Sequence, residues 1–229
     1  MNRLVLFDID ETMISSDGAG RRAIGRALCD IFGIDTSKMT LRMSGKTDPQ
    51  ILSEILKLAD KMEEDFEHLK EEMFRVYLTL LQEEINNAGY YIVHPGVYEI
   101  LDALHAHETG YLGLLTGNIE DGARLKLNRF DLNKYFPLGA YGSDSANRND
   151  LPHIATERAR KHFNVEFKPE QVVIIGDSIY DVLCAKGYGA RSIAVNTGAT
   201  PKADLVEQNP DFLFDNLSDT KAVLDAIFA

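Results

Sequence analysis

Three short stretches of this sequence set chemically capable side chains where a chain changes direction. Phe7-Asp8-Ile9-Asp10-Glu11-Thr12 places two carboxylates two residues apart, directly behind the apolar run Arg3-Leu4-Val5-Leu6-Phe7. On an extended chain both would face one side. The chain is leaving its strand here, however, so each can be aimed separately at one pocket, unless the stretch is only a polar loop with a helix cap. Leu115-Thr116-Gly117-Asn118 ends a second apolar run and opens a helix. It offers the Thr116 hydroxyl and free backbone N–H groups to an anion, or is simply a turn and a helix start. Ile175-Gly176-Asp177-Ser178 through Asp181 ends a third run with two acids four residues apart. Asp177 at the tip could ligate a hard cation, with Asp181 facing back to the same place one helical turn later. The alternative is an N-cap with a dipole-favoured acid. Carboxylates gathered from several strand ends repel one another unless a cation joins them, so the chemistry on offer is that of a metal-assisted phosphate site.

Positioning such groups requires strands that end at one edge. Four nearly continuous apolar runs, at 3–7, 111–116, 171–176 and 191–195, read as strands buried on both faces. Amphipathic stretches near 97–107, 120–129, 152–163 and 180–186 separate them. This alternation predicts an α/β fold, a Rossmann-like parallel sheet with helices on both sides and right-handed crossovers. Residues 19–32, 49–58 and 62–85 instead run with helical periodicity and no buried strand. The expected organisation is a core from residues 1–15 and 92–229 with an all-helical insertion, 16–91. Inserted after the first strand, that segment must sit over the strand's carboxyl end, where open α/β sheets bind ligands. Asp17-Gly18 is either a hinge into it or a turn.

The composition agrees with a globular chain: 229 residues, 45% hydrophobic and 26% charged. No apolar run approaches the roughly 20 residues of a membrane span, so neither a signal peptide nor a membrane segment is expected. A formal net charge of -12 argues against nucleic acid or an anionic membrane as partner. It leaves room for a small phosphorylated metabolite held by a metal and a few local donors. Cys29 and Cys184 lack metal-ligand spacing and read as small core residues suited to a reduced cytoplasmic interior. The six histidines show no paired zinc spacing. The sequence leaves a monomer or a homodimer equally open.

Taken together, Asp8 to Thr12, Thr116-Gly117-Asn118 and Gly176-Asp177-Ser178 through Asp181 resemble motifs one, two and four of the haloacid dehalogenase superfamily. The likeness is nearest to its phosphoglycolate phosphatase and β-phosphoglucomutase-like branch and covers essentially the whole chain. The insertion resembles that branch's type-one cap. The resemblance implies that Asp8 attacks phosphorus to give an aspartyl-phosphate, and that Asp10 protonates the leaving alcohol and then accepts a proton from water. It further implies Mg2+ held by Asp8, the backbone carbonyl of Asp10 and Asp177, with Asp181 as a supporting acid. Thr116, Gly117 and Asn118 would bind phosphate. Relatives that cleave carbon–halogen bonds lack an aspartate at position 10 and ion-pumping ATPases carry threonine there, so Asp10 favours phosphate esters.

The third motif departs from the pattern. The branch carries a lysine, commonly followed by proline, where this chain has Asp144 to Pro152 with Arg148 as the one basic residue. Arg148 is assigned the phosphate clamp, against the plainer reading of a solvated loop arginine. Met43-Ser44-Gly45-Lys46-Thr47-Asp48-Pro49 resembles the specificity loop of type-one caps. Gly45, Lys46 and Thr47 are its candidate residues, and Lys46 and Arg42 could meet a second substrate anion, or be helix punctuation and solvated charge. The expected activity is Mg-dependent hydrolysis of a small phosphate monoester. A phosphosugar mutase, a phosphonate-cleaving relative and a silent binding module remain alternatives.

Overall fold

The computed structural model describes residues 1–39, 43–61 and 66–229. Arg42 and the first four residues of the helical stretch expected at 62–85 lie outside the described residues. In chain order the elements are β1 Arg3–Phe7, β2 Ile14–Ser15, α1 Ala19–Phe32, α2 Asp48–Leu58, α3 Phe66–Asn87, β3 Ile92–Val93, α4 Val97–His105, β4 Gly110–Leu115 and α5 Glu120–Asn128. There follow β5 Gly139–Ala140, α6 Leu151–Phe163, β6 Val172–Gly176, α7 Ile179–Tyr188, β7 Arg191–Val195, α8 Lys202–Glu207, β8 Phe212–Phe214 and α9 Thr220–Phe228.

All five residues of β1 are buried, as an apolar run without alternation requires of a strand covered on both faces. It is central in a six-stranded sheet of order β5-β4-β1-β6-β7-β8, with every pairing parallel. Phe7 stands opposite Leu114 on β4 and Ile175 on β6. That register brings the ends of three strands level, so Asp8, the turn after Leu115 and the turn after Gly176 leave the sheet together. The connections step away from β1 in both directions, which opens the crevice where such sheets take ligands.

Between β2 and β3 the described elements are all helical, α1, α2 and α3 with a 3-10 turn at Thr36–Lys38, joined by turns and irregular loops. The antiparallel pair β2–β3, with Ile14 opposite Val93, ties the two ends of this segment together. The chain enters α1 through two left-handed residues, Asp17 and Gly18 at φ 52 and 70. Buried residues of α1, α2 and α3, among them Leu28, Ile55 and Tyr77, belong to one continuous apolar cluster with Val5 and Phe7 of β1. The helical segment therefore shares its core with the sheet.

The sheet holds two strands beyond the four apolar runs, β5 and β8, which are two and three residues long and carry too little pattern to register as strands. One expectation needs correction. Cys184 is buried, but Cys29 is exposed; it sits on the outer face of α1, away from the apolar stripe. Among the described residues no helix is long and apolar enough to cross a membrane.

Candidate active site

Asp8 follows β1 with its backbone N–H donating to Ile175 O at 3.0 Å, which locks it to the neighbouring strand end. Its side chain is 8% exposed. Burial pushes this carboxyl up to about 7; Arg148 opposes that, and Asp181 and Asp10 reinforce it. Asp177 is buried in the turn after β6, where Thr12 Oγ1 donates to its Oδ1 at 3.3 Å. Its Oδ2 is buried with no hydrogen-bond partner among the described residues, and burial holds the carboxyl well above the ordinary range. Gly198 makes this possible: a Cβ there would stand 1.8 Å from that same Oδ2.

Oxygens of Asp8, Asp177 and Asp181 lie within 4.8 Å of one another. Asp181 is already committed, since its Oδ1 accepts from Arg148 Nη2 at 2.5 Å. Its Oδ2 accepts from the N–H and hydroxyl of Ser178 at 3.0 and 2.6 Å, closing the capping box of α7. Asp8 and Asp177 are thus the carboxylates left for a cation. Two buried acids, one with an orphaned oxygen, fit a hard divalent ion with oxygen ligands.

Arg148 lies in a single 3-10 turn before α6 and is 5% exposed, buried rather than solvated. Its Nη2 reaches Asp181, Asp8 Oδ1 at 3.5 Å and Leu115 O at 3.4 Å. Its Nη1 donates to Gly45 O at 3.3 Å. A planar fork of five N–H groups can span these directions where an ammonium acts as a point charge.

Asp10 does not join the carboxylate cluster through its side chain. Its Oδ2 accepts from Asn118 Nδ2 at 2.8 Å and from Lys126 Nζ at 2.6 Å. Asn118 Nδ2 also donates to Thr116 Oγ1 at 2.8 Å, so the Thr116–Asn118 pair is tied to the acid as much as it is open to an anion. Lys126 was not among the residues singled out from sequence. Its signal was positional: it falls on the buried stripe of α5, with Gly122, Ala123 and Leu127.

The loop at 45–48 seams the helical segment to the sheet's edge. Gly45 is left-handed at φ 73. Lys46 Nζ is paired with Glu54 Oε2 at 2.5 Å, which commits the charge expected to meet a second anion. Thr47, fully buried, caps α2 and donates to Ala146 O at 2.8 Å. Asp48, also missed from sequence, donates its N–H to Gly117 O at 2.7 Å and accepts from Ile119 N at 2.9 Å. Burial pushes Asp48 up to about 6, against the pull of Lys126. Gly117 must be glycine, because a Cβ there would meet Lys46 O at 2.1 Å. Between sheet and helices lies a cavity of about 190 Å³, with Asp8, Asp10, Asp177 and Arg148 on one side and Arg21 and Tyr77 on the other.

Known proteins resemble this chain to different extents. Over 128 residues the chain is 29% identical to a phosphoglycolate phosphatase of Salmonella typhimurium, covering 56% of this chain and 49% of that one. It thus spans about half the length of that relative. Over 193 residues it is 29% identical to a phosphorylated carbohydrates phosphatase of Thermotoga maritima, covering 82% of each. A hydrolase from Pseudomonas syringae superposes with a TM-score of 0.74 at 21% identity over 99% of both chains. CbbY from Rhodobacter sphaeroides, solved in complex with phosphate, gives 0.71 at 18% identity over 96% of both. These two structures speak for the fold. The model of the haloacid dehalogenase-like hydrolases matches residues 5–195, a span that holds both buried carboxylates and Arg148, and this chain belongs to that family.

Proposed function

We propose that this chain hydrolyses a small phosphate monoester, with magnesium as cofactor and a phosphoryl-aspartate formed at Asp8. The observation that carries the reading is the meeting of Asp8, Asp177 and Arg148 in one buried pocket, with Asp177 Oδ2 lacking a hydrogen-bond partner among the described residues. Phosphatases of glycolate and carbohydrate phosphates among the relatives support a small phosphorylated metabolite as substrate class.

Asp8 and Asp177, with the backbone carbonyl of Asp10, would hold the cation. When bound, it neutralises charge on the phosphoryl oxygens and between the two carboxylates. Asp8 attacks phosphorus as the ester P–O bond breaks, which divides one hard displacement into two easier ones. Arg148, 3.5 Å from the nucleophile, clamps the equatorial oxygens from a water-poor position where such charge is most effective. The hydroxyl of Thr116 and the backbone at Gly117 border the same space. Asp10 gives a proton to the departing oxygen and later takes one from the water that attacks the phosphoryl-aspartate. The helical segment covers the strand ends through the seam at 45–48, which keeps bulk water from the intermediate.

The test is phosphate release from a panel of phosphorylated metabolites and a chromogenic aryl ester, with magnesium or with chelator. Magnesium-dependent release that is abolished in Asp8→Asn is expected. Isomerised sugar phosphate without phosphate release would make the chain a mutase, and full activity in Asp8→Asn would overturn the assignment.

A further inference from the structure

Lys126 is a buried cation that the reaction outlined above does not use. Its side chain is 4% exposed, yet it stands in the wall of the cavity. A lysine that far from water is expensive unless its N–H groups are satisfied. Two short bonds satisfy it: Asp10 Oδ2 and Asn118 Oδ1, both at 2.6 Å. Asn118 in turn donates to the same Asp10 oxygen, so Lys126, Asn118 and Asp10 close a three-membered ring of hydrogen bonds. The backbone beneath is pinned as well, because Tyr91 Oη donates to Lys126 O at 2.6 Å. Glycine at position 20 of α1 leaves the ammonium its room; a Cβ there would come to 3.0 Å from Nζ.

The two bonds to Asp10, from Lys126 and from Asn118, fall on the same oxygen, Oδ2. Among the described residues Asp10 Oδ1 makes no hydrogen bond, and Asp10 borders the cavity.

We propose that Lys126 is a positioning residue for Asp10, gripping Oδ2 so that Oδ1 is the oxygen that trades protons with the leaving group and with water. This rests on the reading of Asp10 as proton donor and acceptor. In the first step Asp8 bonds to phosphorus as the ester P–O bond breaks, and the leaving oxygen takes the proton from Asp10; in the second, the water oxygen bonds to phosphorus as the bond to Asp8 breaks, and Asp10 takes the proton from that water. Lys126 acts through Asp10, whose Oδ2 it holds at 2.6 Å. Its effect lies in the geometry of the carboxylate, where a displacement on the order of 1 Å costs about 10²-fold in rate.

The experiment is a double-mutant cycle on the magnesium-loaded full chain with an alkyl phosphate substrate, comparing Lys126→Met, Asp10→Asn and both together. Lys126→Met is expected to lower kcat by about 10²-fold and to leave KM nearly unchanged. In the Asp10→Asn background it should cost nothing further. Lys126→Gln, which keeps one donor for Oδ2, should recover part of the loss and serves in place of the methionine variant if that one fails to fold. Multiplicative losses in the double variant would overturn the inference, as would a rise in KM alone, which marks a substrate-binding cation. Slow Asp10→Asn beside normal Lys126→Met would overturn it while sparing the role of Asp10. A fully active Asp10→Asn would remove both.

Discussion

Replacing Asp48 by asparagine should make the protein more stable at neutral pH while leaving it unchanged in mild acid. Asp48 is buried at the first turn of α2, where burial lifts its carboxyl from 3.8 to about 6. Between those values the folded chain keeps the proton that the unfolded chain has released, so stability falls as pH rises and the loss is complete above pH about 6. A lift of roughly two units corresponds to about 3 kcal/mol. The helix N-terminus returns about 0.3–1 kcal/mol to the ionised form, which leaves about 2 kcal/mol. Asparagine keeps an acceptor for Ile119 N–H and has no proton to lose. Urea unfolding of both proteins in chelator should give equal stabilities near pH 4 and a gap of about 2 kcal/mol in favour of Asp48→Asn near pH 8. In a chain of this size that is about 4–8 °C in Tm. A gap that does not change with pH, or a variant less stable at pH about 8, would refute the burial argument.

Magnesium should raise Tm more at pH about 8 than at pH about 5, because Asp8 holds its proton up to about 7 when no cation is present. At a hundredfold excess over Kd the gain is about 2.7 kcal/mol, read by thermal melts, and Asp8→Asn/Asp177→Asn should abolish it. Arg148→Met leaves Asp181 buried without its cation and should cost about 3–5 kcal/mol in chemical denaturation. A loss below about 1 kcal/mol would place this pair with exposed ones.

The parts of this fold that could be read from sequence are those where burial leaves a dense signal. The strands β1, β6 and β7 are nearly continuous apolar runs, and α1 shows its helical periodicity. The edge strands β5 and β8 escaped because two or three residues carry no period. At the site, Asp8, Asp177, Asp181 and Arg148 follow strand ends or precede a helix, so local chemistry marks them, and the structure brings them together. Lys126 and Asp48 could not be found the same way. Each finds its partner far along the chain, Asp48 at Ile119 N, 71 positions away, and Lys126 at Asp10, 116 positions away, so no local spacing announces either contact. Lys46 read as a free cation because Glu54, two helical turns along α2, is invisible as its partner until α2 is placed.

The most direct test is to quench the enzyme during turnover with a slow phosphate ester, reduce with borohydride and map the peptides by mass spectrometry. Borohydride converts an acyl phosphate to the alcohol, so homoserine should appear at position 8 and only when substrate and magnesium are both present. Homoserine at another aspartate, or none during steady phosphate release, would contradict the claim that Asp8 carries the phosphoryl group.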